Sequence, residues 1–173
     1  MTSSLAIRAG GLDDVPAVLV LLDKATEWLV ANGRTGQWGT EAHSTDPRRV
    51  AQIEGFVAGD GLWIAELDGR VVGALAVGDA TSYVPPATEP ELYIRLLVTD
   101  RVLQGTGIGT DLLEHARTLA RGLGVELLRV DCFGGGDGAL IRYYEKQGFT
   151  RAEPFGVPVS DSEWPGQVLF QRL

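Results

Sequence analysis

The stretch Gln104-Gly105-Thr106-Gly107-Ile108-Gly109 joins an apolar, strand-like run, Leu92 to Val98, to a helical pattern that begins near Thr110. Glycines at alternate positions carry no side chains, so successive backbone N–H groups can turn toward one point. The helix that follows adds its own unpaired N–H groups and the positive end of its dipole. The stretch therefore predicts a strand, a phosphate-binding turn and a helix, and a diphosphate can bind there without a lysine.

The patterns on either side of this turn predict an α/β fold, with a mixed central sheet of about seven strands flanked by about four helices. Alternating or continuous apolar runs predict the strands, and apolar residues at helical spacing predict the helices. Asp68-Gly69-Arg70 is a hairpin turn sequence, and a Pro/Gly-rich loop is expected between the last two strands. The predicted strands are Leu5 to Arg8, Leu62 to Leu67, Val71 to Val77, Leu92 to Val98, Val125 to Cys132, Phe149 to Phe155 and Gln167 to Leu173; the predicted helices run from Asp13 or Asp14 to Val30, from Pro47 to Ala58, from Thr110 to Leu123 and from Ala139 to Gln147.

Composition favours one compact domain over residues 1–173. The chain has 173 residues, of which 45% are hydrophobic, and no apolar run approaches the roughly 20 residues that span a bilayer. We therefore expect a cytoplasmic protein without a membrane partner. The net charge of −8 and the pI of 4.7 argue against nucleic-acid binding and favour a cationic small molecule or peptide as the partner.

Metal and disulfide chemistry are not expected. Cys132 is the only cysteine, so no intramolecular disulfide can form, and it is interpreted as a small buried hydrophobe. The two histidines are far apart in the sequence. His115 is placed on the polar side of its helix, and His43 is left as a possible substrate contact in a loop.

Two other phosphate-binding motifs do not fit the glycine turn. A P-loop needs Gly-Lys-Ser/Thr after four spacer residues, and a dinucleotide fingerprint needs its glycines near the first strand. Neither pattern is present, so nucleoside triphosphates are poor candidates.

A second motif helps to interpret the glycine turn. Tyr143-Tyr144-Glu145-Lys146-Gln147-Gly148-Phe149 follows about 35 residues after Gln-x-x-Gly-x-Gly, and together the motifs resemble those of the GNAT superfamily of acyl-CoA-dependent N-acyltransferases. The resemblance extends over almost the whole chain, and its specific content lies in residues 91–149. It implies acetyl-CoA as co-substrate, with the diphosphate on the backbone of Gln104, Gly105, Thr106, Gly107, Ile108, Gly109 and Thr110.

The chain departs from the family pattern at two places. Seven residues before the motif tyrosine the family commonly has an asparagine that contacts the coenzyme arm, and here Asp137 stands in its place. The segment Thr99 to Leu103 is one residue longer than the usual connection, which a bulge or a longer loop would absorb.

The resemblance also implies the catalytic residues. Tyr144 falls at the position of the tyrosine beside the thioester sulfur, and with a pKa near 10 it can protonate a thiolate whose conjugate acid has a pKa near 8.5. The alternative for Tyr144 is a core tyrosine, and Tyr143 is interpreted as core. A backbone N–H near Leu97 or Val98 is the expected donor to the thioester oxygen.

An amine acceptor is mostly protonated at neutral pH, so a base is needed, and Glu91 is the candidate, directly or through water. The alternatives are that Glu91 is a solvated residue at a strand edge and that water alone accepts the proton. Gln37 and Trp38, in the loop between the first two helices, are candidate contacts for the acceptor. Trp38 can instead fill a gap between the helices and the sheet.

The predicted function is transfer of an acetyl group from acetyl-CoA to a primary amine of a small molecule or peptide, by direct attack in a ternary complex. The alternative is a coenzyme-binding sensor or interaction module without turnover. Homodimers are common in the resembled family, so a homodimer is a possible assembly. The acceptor and the length of the acyl chain stay open.

Overall fold

The computed structural model describes residues 5–173, and within them seven strands form one sheet in the order β1-β2-β3-β4-β5-β7-β6. The strands are β1 (Leu5–Ala9), β2 (Leu62–Leu67), β3 (Arg70–Gly78), β4 (Glu91–Thr99), β5 (Leu127–Phe133), β6 (Thr150–Val159) and β7 (Ser162–Arg172). The α-helices of the same range are α1 (Val15–Ala31), α2 (Pro47–Ala58), α3 (Ile108–Gly122) and α4 (Ala139–Lys146). The predicted fold class is confirmed.

The sheet is covered on both faces. One apolar cluster packs α3 and α4 on the sheet and contains Leu112 and Ile141. The other packs α1 and α2 on the opposite face and contains Leu22 and Ile53, both fully buried. Within residues 5–173, no helix combines the length and apolar character needed to cross a bilayer.

The β2–β3 hairpin has the predicted turn. Asp68 and Gly69 both have positive φ, 52° and 78°, which is the requirement of a two-residue turn that matches the twist of the strands. The hairpin places β3 beside β4. The other edge of β4 lies beside β5.

The strands β4 and β5 are parallel neighbours for only part of their length. They pair from Glu91↔Leu127 to Ile94↔Val130. Beyond that point β4 continues to Thr99 beside β3, while β5 continues to Phe133 beside β7. A bulge in β4 accompanies the separation, since the β3 register shifts between Ala76↔Leu96 and Val77↔Ile94. The gap between the two strands opens toward the glycine turn.

The connection from β4 to α3 has a turn of its own. Arg101–Leu103 form a 3₁₀ turn, and the Asp100 side chain accepts a hydrogen bond from the Val102 N–H at 3.1 Å. The turn lies within the segment Thr99 to Leu103, where the sequence predicts a bulge or a longer loop. Helix α3 begins at Ile108, earlier than its predicted start at Thr110.

The Pro/Gly loop expected between the last two strands is a continuous β-ribbon, so that prediction is wrong. β6 and β7 pair through Gly156↔Pro165 and Pro158↔Glu163 up to a tight turn. Proline is tolerated because β6 is an edge strand, where a missing N–H removes no ladder hydrogen bond. Pro165 likewise lies beyond the last β5–β7 pair, Phe133↔Gly166.

His115 does not lie in solvent as its sequence context predicts. Trp63 of β2 covers it, with ring centroids 4.4 Å apart. The His115 Nε2 is buried and has no hydrogen-bond partner within residues 5–173. Burial therefore lowers the pKa of His115.

Candidate functional site

A cleft of about 790 Å³ lies where β4 and β5 separate. Its walls are the ends of these strands, the glycine turn, the C-terminal part of α1 with the following loop, and the first turns of α4. Most of the residues singled out from the sequence line it: Gln37, Trp38, Leu97, Val98, Gln104, Gly105, Gly107, Ile108, Gly109, Thr110, Asp137 and Tyr144. Thr106 and Glu91 do not.

The glycine turn has the backbone geometry of an anion cradle. Gly105 and Gly107 have φ of 85° and 89°, in the left-handed region that side chains disfavour. Gly107 is the N-cap of α3 and offers no side-chain acceptor to the first turn. The first N–H groups of the helix therefore stay available to a ligand at the positive end of its dipole.

The two threonines of the turn have other partners. Thr106 Oγ1 donates a hydrogen bond to the Leu103 carbonyl at 2.6 Å, which holds the turn closed on its N-terminal side. Thr110 Oγ1 accepts one from Gln147 Nε2 at 2.9 Å and so ties α3 to the end of α4. Any contact of Thr106 with a ligand is thus left to its backbone.

Tyr144 is buried in the wall of the cleft, 6% exposed. Its ring packs edge-on against Tyr143 and Phe149, at centroid distances of 5.3 and 5.7 Å. Burial, followed by the charges of Cys132, Tyr143 and Asp131, holds the pKa of Tyr144 well above its ordinary value. Tyr144 is therefore protonated at neutral pH in the wall of the cleft. Cys132, predicted to be a buried hydrophobe, lies in the same apolar cluster.

Glu91, the candidate base, is not among the residues that line the cleft. It begins β4 at the end where β4 and β5 are still paired, six residues before Leu97. Both of its carboxylate oxygens are held by Arg129, by Nη2 at 2.9 Å and by a short contact from Nε. The side chains are 13% and 7% exposed, so this is a largely buried ion pair. The carboxylate that the sequence offers as a base is a structural partner of β5.

Asp137 lies just before α4 and faces Arg34, in the loop that follows α1. Its Oδ1 accepts the Ala139 N–H at 3.0 Å, and its Oδ2 lies 3.6 Å from an Arg34 nitrogen. The backbone hydrogen bond is the main reason that the pKa of Asp137 is lowered, with Arg34 and Arg142 adding to it. The residue therefore brings a negative charge to a position where the resembled family commonly has a neutral amide.

The loop that carries Gln37 and Trp38 is fixed at both ends. The Trp164 indole N–H of β7 donates to the Gln37 carbonyl at 2.9 Å. Trp38 packs edge-on against His43, with centroids 5.7 Å apart. His43 is 5% exposed and shares a 2.7 Å hydrogen bond with Thr26 Oγ1 of α1, so it anchors the loop and is not open to substrate. Burial lowers its pKa, which keeps the imidazole neutral.

Three cleft residues were not found from the sequence. Arg101 lies with its guanidinium carbon 3.7 Å from the Trp28 ring centre, and Arg34 lies 5.9 Å from the same ring. All three line the cleft beside the glycine turn. Nothing in the local pattern marks them, because Arg101 comes from an irregular turn and Trp28 from a helix that ends 70 residues earlier.

A carboxylate beside the gap was also missed. Asp131 of β5 accepts a 2.7 Å hydrogen bond from the Tyr93 hydroxyl of β4. Burial raises the pKa of Asp131, and the Tyr93 hydrogen bond, Arg95 and Arg129 oppose that rise. The sequence did contain a signal, since Arg129 and Asp131 interrupt a strand that should be apolar on both faces.

Comparison with known proteins agrees with the family resemblance of the sequence motifs. A profile of the acetyltransferase (GNAT) family matches residues 24–149. Mycothiol acetyltransferase of Thermomonospora curvata is 34% identical over 132 residues, which make up 73% of this chain. The chain spans 40% of the length of that relative.

Solved structures with the same fold cover nearly the whole chain. Ribosomal-protein-alanine N-acetyltransferase from Brucella melitensis superposes with a TM-score of 0.71 at 21% identity, covering 97% of this chain and 99% of its own. Ard1 from Thermoplasma volcanium gives 0.71 at 19% identity, covering 98% and 97%. Salmonella typhimurium yncA, solved with its cofactor acetyl-CoA, gives 0.68 at 21%, covering 98% and 94%. At these identities the likeness shows the fold alone.

Proposed function

The chain belongs to the acetyltransferase (GNAT) family, and from that premise we propose that it transfers an acetyl group from acetyl-CoA to a primary amine of a small molecule or peptide. The observation that carries the proposal is the gap between β4 and β5, which ends on the glycine cradle at the start of α3. A coenzyme with a diphosphate at one end and a thioester at the other fits a site of that form.

The cradle is suited to the diphosphate of the coenzyme. Gly105 and Gly107 turn the backbone so that N–H groups converge, and the first turn of α3 adds its dipole. A Cβ on either glycine would require a strained φ, so the site depends on both residues. Gln104 and Thr110 are exposed where they line the cleft, so their polar side chains are available to a bound phosphate.

The gap accommodates the arm that joins diphosphate to thioester. Because β4 has left β5 beyond Ile94, its backbone edge from Leu97 to Thr99 faces the cleft instead of a strand. An extended amide-containing chain can add to such an edge through main-chain hydrogen bonds. A backbone N–H at Leu97 or Val98 is also the expected donor to the thioester oxygen during attack.

Tyr144 is the proposed acid. When the C–S bond of the thioester breaks, the leaving thiolate takes the phenol proton of Tyr144. The raised pKa of Tyr144 keeps that proton in place at neutral pH, where a ligand in the cleft can receive it. A general acid is active only in its protonated form. Burial keeps Tyr144 protonated and so favours its role as the acid.

The acceptor enters from the side of Gln37 and Trp38. Their loop closes one wall of the cleft and is held there by Trp164 and His43. Amine and acetyl-CoA must then be bound together, because no nucleophilic side chain is needed to carry the acetyl group. Burial raises the pKa of Cys132 to about 12, which makes a thiolate carrier unfavourable.

The test has two stages. Acetyl-CoA at 100 times its dissociation constant should stabilise the protein by ~2.7 kcal/mol, several degrees in melting temperature, while ATP as a control anion should do much less. Release of coenzyme thiol is then followed with spermidine, kanamycin, L-lysine and a tripeptide with a free N-terminus. Initial rates that intersect when both substrates are varied support a ternary complex, and parallel lines contradict it. Selective binding without turnover of any amine would favour the coenzyme-binding module instead.

A further inference from the structure

Two arginines and a tryptophan meet in the wall of the cleft. The guanidinium carbon of Arg101 lies 3.7 Å from the centre of the Trp28 ring, and that of Arg34 lies 5.9 Å from the same centre. Trp28 belongs to α1, Arg34 to the loop that follows it, and Arg101 to the turn after β4. All three residues line the cleft, and together they form the arginine cluster.

The guanidinium of Arg101 is half-buried without a counter-charge from the protein. Its Nε is shielded from solvent and has no hydrogen-bond partner within residues 5–173. Burial and the charge of Arg34 both lower the pKa of Arg101, and no carboxylate of the described residues offsets them. Arg129 differs, because Glu91 binds it through both carboxylate oxygens. Since burial of an unpaired charge costs free energy, an oxyanion bound at Arg101 would stabilise the arginine cluster.

The charge of the cleft differs from that of the whole chain. The net charge of the chain is −8, whereas the charged residues among 5–173 that line the cleft are Arg34, Arg101 and Asp137. Asp137 Oδ2 lies 3.6 Å from an Arg34 nitrogen and so offsets the charge of that arginine. Arg101 remains as the net positive charge of the cleft. The cleft therefore favours a ligand with an anionic group, which the composition of the whole chain does not predict.

A carboxylate matches the donor groups of Arg101. A guanidinium carries five N–H donors in one plane and pairs with a carboxylate through two parallel hydrogen bonds. At 3.7 Å the Trp28 ring is at stacking distance, so it contacts the face of the guanidinium and leaves the N–H groups at its edge. The ring also restricts a long side chain, so the donors are held in place before a ligand binds.

The position of the arginine cluster favours the acceptor as its ligand. Arg34 lies in the same loop as Gln37 and Trp38, which form the wall proposed to receive the amine. Arg101 contacts Trp28 of α1, the helix that leads into this loop. The diphosphate site, by contrast, consists of the backbone of residues 104–110. Acetyl-CoA also carries a phosphate on its ribose, so the coenzyme is a second source of an oxyanion that the experiment must distinguish.

We propose that the arginine cluster binds a carboxylate of the acceptor, so that the acceptor is an amino acid or a peptide with a free carboxyl group. This assignment rests on the proposed function and names its class of acceptor. Arg101 supplies the paired donors, Arg34 adds a second cation, and Trp28 positions Arg101. Of the four amines named above, L-lysine and the tripeptide should be acetylated in preference to spermidine and kanamycin, whose several positive charges are repelled by Arg101.

The experiment uses pairs of acceptors that differ only in the carboxylate: L-lysine with L-lysinamide, and the tripeptide with its C-terminal amide. The ratio of kcat/KM for acid and amide is compared between full-length variants, so that differences in amine basicity cancel. Arg101→Gln should lower this ratio at least 10-fold by raising KM for the acid, while the kinetics of the amide stay close to wild type. Arg101→Lys keeps the charge without the planar donors and should give an intermediate ratio.

Two further variants show whether the effect belongs to the arginine cluster. Trp28→Leu should lower the acid-to-amide ratio and spare the amide, a change of specificity that a purely structural role of the ring would not produce. Arg95→Gln is the matched control, because Arg95 also lies over an aromatic ring, that of Phe56 at 5.6 Å, but does not line the cleft. Its ratio should stay within about 2-fold of wild type. An Arg101→Gln ratio equal to that of Arg95→Gln overturns the assignment.

Coenzyme binding distinguishes the two sources of an oxyanion. Calorimetry measures the dissociation constants of acetyl-CoA and acetyl-3′-dephospho-CoA for wild type and Arg101→Gln. Arg101→Gln should change neither by more than about 2-fold. A loss of 10-fold or more for acetyl-CoA overturns the acceptor assignment: Arg101 then binds the ribose phosphate if the dephospho form escapes the loss, and the diphosphate if it does not.

Binding without turnover separates this assignment from the function itself. In protein saturated with coenzyme A, L-lysine should raise the melting temperature more than L-lysinamide does, and Arg101→Gln should abolish the difference. If this difference is seen and no amine is acetylated, the function is overturned while the carboxylate site stands. If amines are acetylated with the same acid-to-amide ratio in wild type and Arg101→Gln, the function stands and the carboxylate site is overturned.

Discussion

The phenol oxygen of Tyr143 occupies the space that a side chain at Gly109 would need: a Cβ on Gly109 would lie 2.3 Å from Tyr143 Oη and 3.6 Å from Cζ. Gly109→Ala should therefore push the ring aside and destabilise the protein by about 1 kcal/mol, in the low range for an overpacked site. In a Tyr143→Phe background the nearest atom is at ordinary contact distance, so the same change should be neutral or slightly stabilising. Urea unfolding of the four proteins measures the difference, and an equal cost in both backgrounds would contradict it.

Tyr144→Phe should lower kcat by roughly 10², since it removes the hydroxyl of the proposed acid. The dissociation constant for acetyl-CoA should change little, because the ring and its packing remain. Tyr143→Phe is the matched control from the same helix and should keep most of the activity. Stopped-flow detection of thiol release checks both variants; an unchanged kcat in Tyr144→Phe would remove the acid assignment.

Gly107→Ala should weaken acetyl-CoA binding at least 10-fold. Its φ of 89° is unfavourable for a residue with a Cβ by roughly 1–2 kcal/mol, and relief of that strain turns the cradle N–H groups away. Gly122→Ala, at the other end of α3 with no atom within 4 Å of the added Cβ, is the control and should bind as wild type does. Calorimetric titration distinguishes them. Equal affinity in the two variants would mean that the phosphate lies elsewhere.

Glu91→Gln should destabilise the fold by about 3 kcal/mol, because Arg129 is left as a largely buried charge without its carboxylate. Its kcat should stay near wild type, since the residue lies outside the cleft. Glu145→Gln breaks the exposed pair with Arg151, and the unfolding midpoint should hardly move. A Glu91→Gln protein with native stability and lost activity would return Glu91 to the list of candidate bases.

Stability should fall as the pH drops below about 6.5, the ordinary histidine value. The folded-state pKa values of His43 and His115 are both lowered by burial. In this window the unfolded chain takes up protons that the folded chain does not, so their contribution is present above 6.5 and is lost as pH falls toward the folded-state values. His43→Gln and His115→Phe should each flatten the loss in denaturant unfolding at a series of pH values. If both variants lose stability with falling pH as steeply as wild type does, neither histidine is responsible for the loss.

Local chemistry made much of this fold predictable. The glycines at 105, 107 and 109 mark the turn and the start of α3, and Asp68-Gly69 fixes a hairpin, because each needs only its own neighbours. Prolines misled the prediction at the β6–β7 ribbon, since the sequence does not say which strand is an edge. A proline that would break a central strand is tolerated in an edge strand.

The position of Glu91 could not be predicted in the same way. Whether Glu91 faces the cleft depends on the residue at which β4 and β5 part, which is a matter of register between segments 36 residues apart. Arg129, which binds the Glu91 carboxylate, lies 38 residues further along the chain. The position of Tyr144 in the wall of the cleft was easier to predict, because its helix, its spacing and the following Gly-Phe lie in one short stretch.

The hydrogen bond from Trp164 to Gln37 joins residues that are 127 positions apart. During synthesis, the loop over the cleft leaves the ribosome long before its anchor on the last strand exists. The hydrogen bond that holds this wall of the cleft can therefore form only after β7 has been made and has entered the sheet between β5 and β6. The glycine turn precedes β7 in the chain and does not depend on that bond.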